Sequence, residues 1–504
     1  MSRTRRLLSG LGVSYLGQIL AVVISFCMSP FLVRYLGRPG LGKWLIATQV
    51  VQYLGLVDFG VTAVLPRELS IAAGAANGQR SELRLLTGRT LRIILYQLPL
   101  LALLAVAACL WAKDRVPEAA GPIALLLGLM VLFFPLRLFP AILQGLQDLG
   151  FAGITSLIAT VASAALTIVL ILRGWGLYGM VLSWALTQLI VYLGAAWRVG
   201  RLHRDVMPAL RTALDWAIAR GLLGKAFWIA INQLLQVFIF GTDYLIIGGV
   251  MGAAIIVPFS FTGKLTAALN SYPNIMVMLA GPGLGELRGT GDKSRMLRAA
   301  VAIVQATILA SGFIITVVLA VNSAFVTRWV GVENYSGYWV TLAQLSDMFA
   351  RHLNGALACA LLFFGYEKRL TLVGIADGVV TVGAAVFLTK LLGPMGSPLG
   401  SVVGVCLTSL PANVLSLSSD LATSRARMLR LLSPCLALVT VTGVGATFVG
   451  FIFSRGGYPV IIALGAVVST VYCGLALLVS SRLILGEYIR PYLHSLGAKL
   501  KFVK

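Results

Sequence analysis

Long apolar stretches separated by short polar loops follow one another along the chain. About fourteen of them approach the roughly 20 residues with which a helix crosses the hydrocarbon core of a bilayer. They lie near residues 12–36, 42–66, 91–112, 122–144, 151–172, 176–197, 225–248, 254–282, 299–327, 338–364, 370–392, 398–419, 434–453 and 458–480. Because helices satisfy their own backbone groups in lipid, the pattern predicts an all-α polytopic membrane protein with about fourteen transmembrane helices.

The composition excludes a soluble protein. Hydrophobic residues make up 59% of the chain, charged residues only 11%, and the mean hydropathy is +0.93. Soluble domains carry about 25% charged residues. The first apolar stretch is too long for the core of a signal peptide, so we interpret it as a retained helix.

The basic residues indicate an orientation. The 40 Lys and Arg residues give a net charge of +23 and concentrate in loops on one side of the predicted membrane. These loops lie at 80–92, 198–225, 288–298, 368–369, 425–430 and 481–504. The positive-inside rule then predicts cytoplasmic termini. Such loops face anionic lipid headgroups. Because they contain no interleaved aromatic residues, they do not indicate nucleic acid binding.

No motif indicates an enzyme active site, a metal site or a bound cofactor. Residues 37–43, GRPGLGK, have the spacing of a P-loop, but Trp44 stands where Ser or Thr would hold magnesium. We interpret this segment as a tight turn between helices. The six cysteines lie in apolar stretches without CxxC spacing, which is typical of small core residues.

Weak internal similarity predicts two lobes. A shift of 215 residues aligns Gln18 with Gln233 and Trp44 with Phe259. We therefore predict one six-helix lobe at 1–215, a second at 216–432, two additional helices at 433–480 and a basic cytoplasmic tail at 481–504. Parallel repeats of this kind hold the substrate between the two halves.

Polar residues within four predicted spans recur at helical spacing, so each span has one polar face. The four sets are Gln344, Asp347, Arg351 and Asn354; Ser260, Lys264, Ser271 and Asn274; Asn232, Gln236 and Asp243; and Ser14, Gln18, Ser25 and Ser29. Hydrogen bonding between helices would explain any one of these residues. Together, the four faces favour a hydrated central cavity.

Cations within the spans are the main candidates for substrate binding. A charge in mid-bilayer costs at least about 2.5 kcal/mol, so it usually faces the bundle interior and serves function. We predict that Lys264, Arg351 and Arg137 bind an anionic substrate. Asp347, one turn from Arg351, could instead neutralise it. Arg67 is a weaker candidate, because it can reach the headgroups near the cytoplasmic end of its span.

Anions within the spans have two interpretations. Asp58, Asp243, Asp347 and Asp377 could couple transport to H⁺ or Na⁺, or they could be countercharges for the basic residues. The neighbouring His352 could relay protons, although a packed histidine is the simpler interpretation.

Two regions resemble a known family. Residues 31–69, FLVRYLGRPGLGKWLIATQVVQYLGLVDFGVTAVLPREL, resemble the opening of Wzx-type polysaccharide flippases in the MATE-like multidrug/oligosaccharidyl-lipid/polysaccharide exporter superfamily. The features that carry this resemblance are Arg34, Leu36, Gly37, Gly42, Trp44, the Asp58-Phe59-Gly60 triplet and Arg67. Residues 243–265 resemble the start of the second lobe. There the chain departs from the pattern, with Pro258-Phe259 where the family has glycine and an aromatic residue.

The resemblance implies a V-shaped pair of lobes, as in MATE and lipid II flippase structures, around a central cavity. It also implies transport of undecaprenyl-diphosphate-linked oligosaccharide from the cytoplasmic to the periplasmic leaflet of the bacterial inner membrane, by alternating access, for O-antigen, capsule or exopolysaccharide assembly. A polysaccharide polymerase and a chain-length regulator are the implied partners. Two alternatives stay open, a lipid II flippase and a MATE-type multidrug exporter, although an exporter of organic cations would favour acidic cavity residues.

Overall fold

A computed structural model describes residues 3–75, 80–209, 233–238, 241–277 and 292–488, together with the single residues 224, 227, 230, 231, 284 and 287. Throughout these residues the regular structure is helical. The chain divides into two compact units, Met1–Tyr244 and Leu245–Lys504. The predicted all-α fold class is confirmed, whereas the finer division into two lobes, a helix pair and a tail stays a prediction.

Seven helices lie in the described part of the first unit before residue 203. They are α1 (Arg3–Gly55), α2 (Val61–Ala75), α3 (Arg80–Arg115), α4 (Ala120–Phe133), α5 (Leu138–Gly145), α6 (Leu149–Leu172) and α7 (Gly176–Leu202). Helix α6 packs between α1 and α7, and α2 packs against α5 and α3. The apolar core of this unit lies mainly among α2, α3, α4 and α5.

The second unit is organised around one long helix, α11. After α8 (Asp243–Met251), which spans the unit boundary, the helices are α9 (Ala253–Thr262), α10 (Lys264–Leu269), α11 (Lys293–Val330), α12 (Tyr338–Phe363), α13 (Glu367–Leu392), α14 (Gly396–Leu407), α15 (Ser409–Asp420), α16 (Arg425–Ile452) and α17 (Tyr458–Ser480). Helices α12, α16 and α17 all pack on α11, and α13 forms a hairpin with α14.

The chain is a multi-pass membrane protein. Among the described residues, nine helical stretches are long and apolar enough to cross a membrane. The bent pair Ala253–Thr262 and Lys264–Val277, with 55° between its halves, would make a tenth. Three of the nine stretches contain internal breaks, at Gly37, at residues 134–137 and at residues 393–395. The predicted total of fourteen spans stays a prediction.

The segment that resembles a P-loop contains a kink in α1. Gly37 has φ 67° and ψ 171°, a backbone conformation that glycine adopts without the steric cost of a Cβ. Lys43 then forms an ion pair with Glu118, which precedes α4. The lysine is thus engaged with a side chain at the start of another helix.

A row of three glycines allows α13 and α14 to pack closely. Gly396, Gly400 and Gly404 recur every four residues on one face of α14. A Cβ at Gly400 would overlap the backbone of Ala385, and one at Gly404 would overlap the Thr381 side chain. Small residues at this spacing let membrane helices approach until their backbones touch. This contact holds Asp377 and Thr381 of α13 beside α14.

We expect Gly400→Leu to destabilise the second unit, because the added side chain must push α14 away from α13. Overpacking in a close-packed interior costs about 1–3 kcal/mol. The measurement is the thermal unfolding temperature of the purified protein, with membrane abundance as a second readout. Gly383→Ala in α13 is the matched control, since a Cβ there meets nothing within 4 Å. Equal unfolding temperatures for Gly400→Leu and wild type would contradict the close-packing interpretation.

Candidate functional site

A buried charged cluster in the second unit is centred on Arg351. Its guanidinium donates to Asp377 Oδ2 at 2.7 Å, to Thr381 Oγ1 at 2.9 Å and to Ser401 Oγ at 2.9 and 3.0 Å. Arg351 is only 7% exposed and Asp377 only 1%. The cluster therefore links α12, α13 and α14 through one side chain.

The carboxylate of Asp377 is also fully engaged. It accepts hydrogen bonds from Thr381 at Oδ1 and from Ser409, the first residue of α15. Asp347, which the sequence offered as the neutralising partner of Arg351, lies farther away, with 3.7 Å between Oδ1 and the guanidinium Nε. The attraction within a buried ion pair offsets the cost of desolvation only when further hydrogen bonds satisfy the two charged groups. Here hydroxyl groups form those hydrogen bonds. This geometry fastens four helices together.

A helix break lies between Thr262, the last residue of α9, and Lys264, the first residue of α10. The carbonyl of Thr262 accepts from the Asn322 side chain of α11 at 2.9 Å, and the Gln344 side chain of α12 donates to Phe259 O at 3.2 Å. A break in a membrane helix exposes carbonyl groups that must find other donors. Asn322 supplies a donor for the Thr262 carbonyl, and Gln344 adds a second donor to the Phe259 carbonyl, which also accepts from the Gly263 amide at 3.2 Å. The break is therefore supported from two helices.

The loop between α11 and α12 also contacts the break. The Ser336 amide donates to Thr262 Oγ1 at 2.8 Å. The neighbouring Tyr335 hydroxyl lies 3.3 Å from Thr341 Oγ1, and burial raises the pKa of Tyr335. The tyrosine therefore stays a neutral hydrogen-bonding group at physiological pH.

His352 supports the far end of α10. Its Nε2 lies 2.9 Å from the carbonyl of Asn270, and its Nδ1 lies 2.8 Å from Ser311 Oγ of α11. Since a carbonyl only accepts, Nε2 carries a proton and donates to it, and the serine hydroxyl can donate to or accept from Nδ1. His352 is 2% exposed, so this is a packed histidine with both ring nitrogens engaged.

Lys264 begins α10 directly after the break and is partly exposed. Farther along the same segment, Ser271 and Asn274 are exposed. A long cationic side chain followed by exposed hydroxyl and amide groups can bind a phosphate and neighbouring sugar hydroxyls. Asn354 of α12, by contrast, accepts a hydrogen bond from the buried Asn413 at 2.8 Å.

In the first unit, Arg137 and Asp58 lie around the turn between α1 and α2. The Arg137 guanidinium donates to Gly55 O at 3.2 Å and lies 5.4 Å from the centre of the Phe134 ring. Asp58 accepts from the backbone and side chain of Thr62, and Gln97 donates to the Asp58 carbonyl at 3.1 Å. Asp58 thus caps the start of α2, and among the described residues no ion pair joins it to a cation.

The structure describes the positions of the remaining predicted site residues only in part. Asp243 begins α8 and is partly buried, and Gln236 is exposed. Asn232 and the side chains of Gln18 and Arg67 lie outside the described residues. The assignment of all these residues to a substrate cavity or an ion-coupling site stays a prediction.

Several residues of the cluster and the break were missed by sequence reasoning. They are Thr381, Ser401, Ser409, Asn322 and Ser311. Two signals in the sequence point to some of them. Thr381 follows Asp377 by four residues, and Ser401 lies beside the glycine row of α14. Neither signal identifies the partner helix.

Comparison with known sequences identifies relatives over most of the chain. A family described as "Polysaccharide biosynthesis protein" matches residues 7–283. A protein of Shigella flexneri whose name describes it as an O-antigen transporter is 20% identical over 400 residues, which cover 78% of this chain and 94% of the relative. The resemblance noted at residues 31–69 is confirmed.

Two solved membrane proteins have a similar fold. An inward-facing multidrug resistance MATE family transporter of the MOP superfamily aligns with a TM-score of 0.60 and 15% identity, over 82% of this chain and 98% of its own. The lipid II flippase MurJ, in an inward closed conformation, aligns with a TM-score of 0.60 and 11% identity, over 96% and 99%. At these identities the similarity concerns the fold.

Proposed function

Because the chain belongs to the polysaccharide biosynthesis protein family, we propose that it is a flippase for lipid-linked oligosaccharides. The observation that carries this proposal is the family match over residues 7–283. Two further observations support it, the similarity to the Shigella flexneri O-antigen transporter and a fold shared with a lipid II flippase. The protein acts as a transporter and not as an enzyme.

The substrate is an undecaprenyl-diphosphate-linked repeat unit that moves from the cytoplasmic to the periplasmic leaflet of the bacterial inner membrane. Transport proceeds by alternating access through a cationic cavity, and the product feeds O-antigen, capsule or exopolysaccharide assembly. A polymerase and a chain-length regulator act on the flipped unit. Both termini are cytoplasmic.

The chemistry of Lys264 supports this substrate class. A diphosphate needs a cation that is partly removed from water, where charge-assisted hydrogen bonds are strongest. Lys264 is partly buried at a helix break, and Ser271 and Asn274 are exposed farther along the same segment. Arg137 could supply a second cation, since it is partly buried with one carbonyl partner.

Coupling to H⁺ or Na⁺ would use acidic residues of the spans. Asp347 is the best placed of the candidates in the second unit, because its carboxylate is 22% exposed and lies at the edge of the Arg351 cluster. By comparison, both carboxylate oxygens of Asp377 already accept hydrogen bonds. Asp58 and Asp243 are the corresponding candidates in the first unit.

We expect a strain without this gene to accumulate a polyprenyl-diphosphate oligosaccharide while its surface polysaccharide falls. The measurement is mass spectrometry of extracted lipids, with the deletion strain carrying the wild-type gene as control. Accumulation of lipid II would favour the lipid II flippase. Unchanged lipid carriers together with greater sensitivity to cationic drugs would contradict the proposal and favour a multidrug exporter.

A further inference from the structure

One end of α11, α16 and α17 carries a cluster of exposed cations, which we call the basic end. Its members are Lys293, Arg295, Arg298, Arg425, Arg427, Arg430 and Arg482. They come from three parts of the sequence, and packing within the second unit brings them together. The basic end is independent of the break and of the Arg351 cluster, and the inference drawn from it does not rest on the proposed function.

Hydrogen bonds define how α11 and α16 are aligned. Gln305 donates to Leu431 O at 2.8 Å, and Thr316 Oγ1 lies 3.0 Å from Thr442 Oγ1, so both contacts join residues 126 positions apart. A constant separation means that the helices run parallel in one register. Arg298 of α11 is therefore level with Ser424, the residue before α16.

The chain after α17 returns to the same place. The Leu485 amide donates to Gln305 Oε1 at 3.1 Å, and Gln305 is completely buried. Leu483 and Leu485 pack on the core formed by α11 and α16. The segment from Arg482 to Glu487 therefore lies along the N-terminal part of α11, from the level of Gln305 toward Arg298, with which Glu487 forms an ion pair.

The positive charge of the basic end exceeds what nearby acidic residues neutralise. Arg295 pairs with Asp292 at 3.2 Å, and Arg298 pairs with Glu487 at 3.4 Å. Within the described part of the chain, no acidic residue forms an ion pair with the others, which are Lys293, Arg425, Arg427, Arg430 and Arg482. The first turns of α11 and α16 contain no acidic residue either.

Exposed apolar residues farther along α16 indicate that the anion is the headgroup of a lipid. Val441, Val444 and Phe448 are 70%, 55% and 69% exposed, and their spacing places them on one face of α16. Arg430 lies eleven residues before Val441, or about three turns and roughly 16 Å along the helix, on the same face. A phosphate with its alkyl chains on this apolar face would lie beside Arg430.

We propose that the basic end binds the headgroup of an anionic phospholipid whose acyl chains lie along the apolar face of α16. Clusters of Lys and Arg at the membrane boundary attract anionic headgroups. Arginine suits a phosphodiester because its guanidinium can donate two parallel hydrogen bonds. The site takes lipid from the leaflet that this end of the unit faces.

The test measures cardiolipin binding to the purified full-length protein by native mass spectrometry, with phosphatidylcholine as the zwitterionic comparison. The test variant combines Arg425→Ala, Arg427→Ala and Arg430→Ala. Each cation near the surface contributes about fivefold in binding, so we expect cardiolipin binding to weaken on the order of 100-fold. Phosphatidylcholine binding should not change.

The matched control removes three exposed cations at the opposite ends of α11, α13 and α16, by Arg328→Ala, Lys390→Ala and Arg455→Ala. It should bind cardiolipin as the wild type does. A variant that combines Arg425→Lys, Arg427→Lys and Arg430→Lys should retain most of the binding. Unfolding temperatures report whether each variant folds. Equal weakening in both alanine triples would overturn the proposal, because net charge alone would then explain binding. Displacement of cardiolipin by equimolar inorganic diphosphate would overturn the lipid assignment.

Discussion

The Arg351→Ala variant should lose most of its folded protein from the membrane. The change leaves the buried Asp377 carboxylate without its cation, and removal of one partner of a buried ion pair costs about 3–5 kcal/mol. It also removes the donors to Thr381 and Ser401 that join α12 to α13 and α14. The measurements are membrane abundance and the thermal unfolding temperature of the purified protein.

A double-mutant cycle separates this structural role from substrate contact. Arg351→Ala combined with Asp377→Ala should destabilise by less than the sum of the two single changes, because neither charge is then left alone. Asp347→Ala is the control, and its effect should be smaller, since its carboxylate is more exposed and lies 3.7 Å from the guanidinium. An Arg351→Ala variant that unfolds like the wild type but no longer exports polysaccharide would favour direct substrate binding by Arg351.

Replacing Lys264 by methionine should reduce polysaccharide export without lowering protein abundance. Methionine keeps much of the apolar volume of the lysine stem but removes the charge. A hydrogen bond to a charged group contributes about 1.5–3 kcal/mol, so export should fall on the order of tenfold to a hundredfold if Lys264 binds the diphosphate. The measurement is surface polysaccharide in a deletion strain that carries the variant, normalised to membrane abundance.

Two comparisons make the Lys264 result specific. Lys264→Arg retains the charge and should retain part of the export. Lys390→Met removes an exposed lysine from the last turn of α13 and should have no effect. Export at the wild-type level by Lys264→Met would remove Lys264 from the proposed binding site.

Sequence reasoning named Arg351, Asp347 and Asp377 but did not predict which of the two carboxylates lies closer to Arg351. Asp347 and Arg351 are four residues apart on one helix face, so their proximity follows from helical periodicity alone. Asp377 is 26 residues away on another helix. Its position depends on how α12, α13 and α14 pack, and helical spacing contains no information about that packing. The closer ion pair could therefore not be identified.

The helix break at Gly263 shows the same limit. Pro258 and Gly263 are residues that interrupt helices. The sequence does not predict which groups donate hydrogen bonds to the carbonyls near the break. The structure assigns this role to Asn322 and Gln344. The spacing that places Gln344 on one face with Arg351 also predicts a cavity-lining role for it, which stays a prediction.

The sequence alone determined the membrane class, the helical fold and the family, because each depends on local or cumulative signals. Hydropathy over about 20 residues identifies spans wherever they lie in the fold, and the motif at residues 31–69 is contiguous. Tertiary structure decided which polar residues meet. The Arg351 cluster joins four helices, His352 contacts the end of α10, and cations between residues 293 and 482 form the basic end. Residues that are distant in sequence become neighbours only through packing.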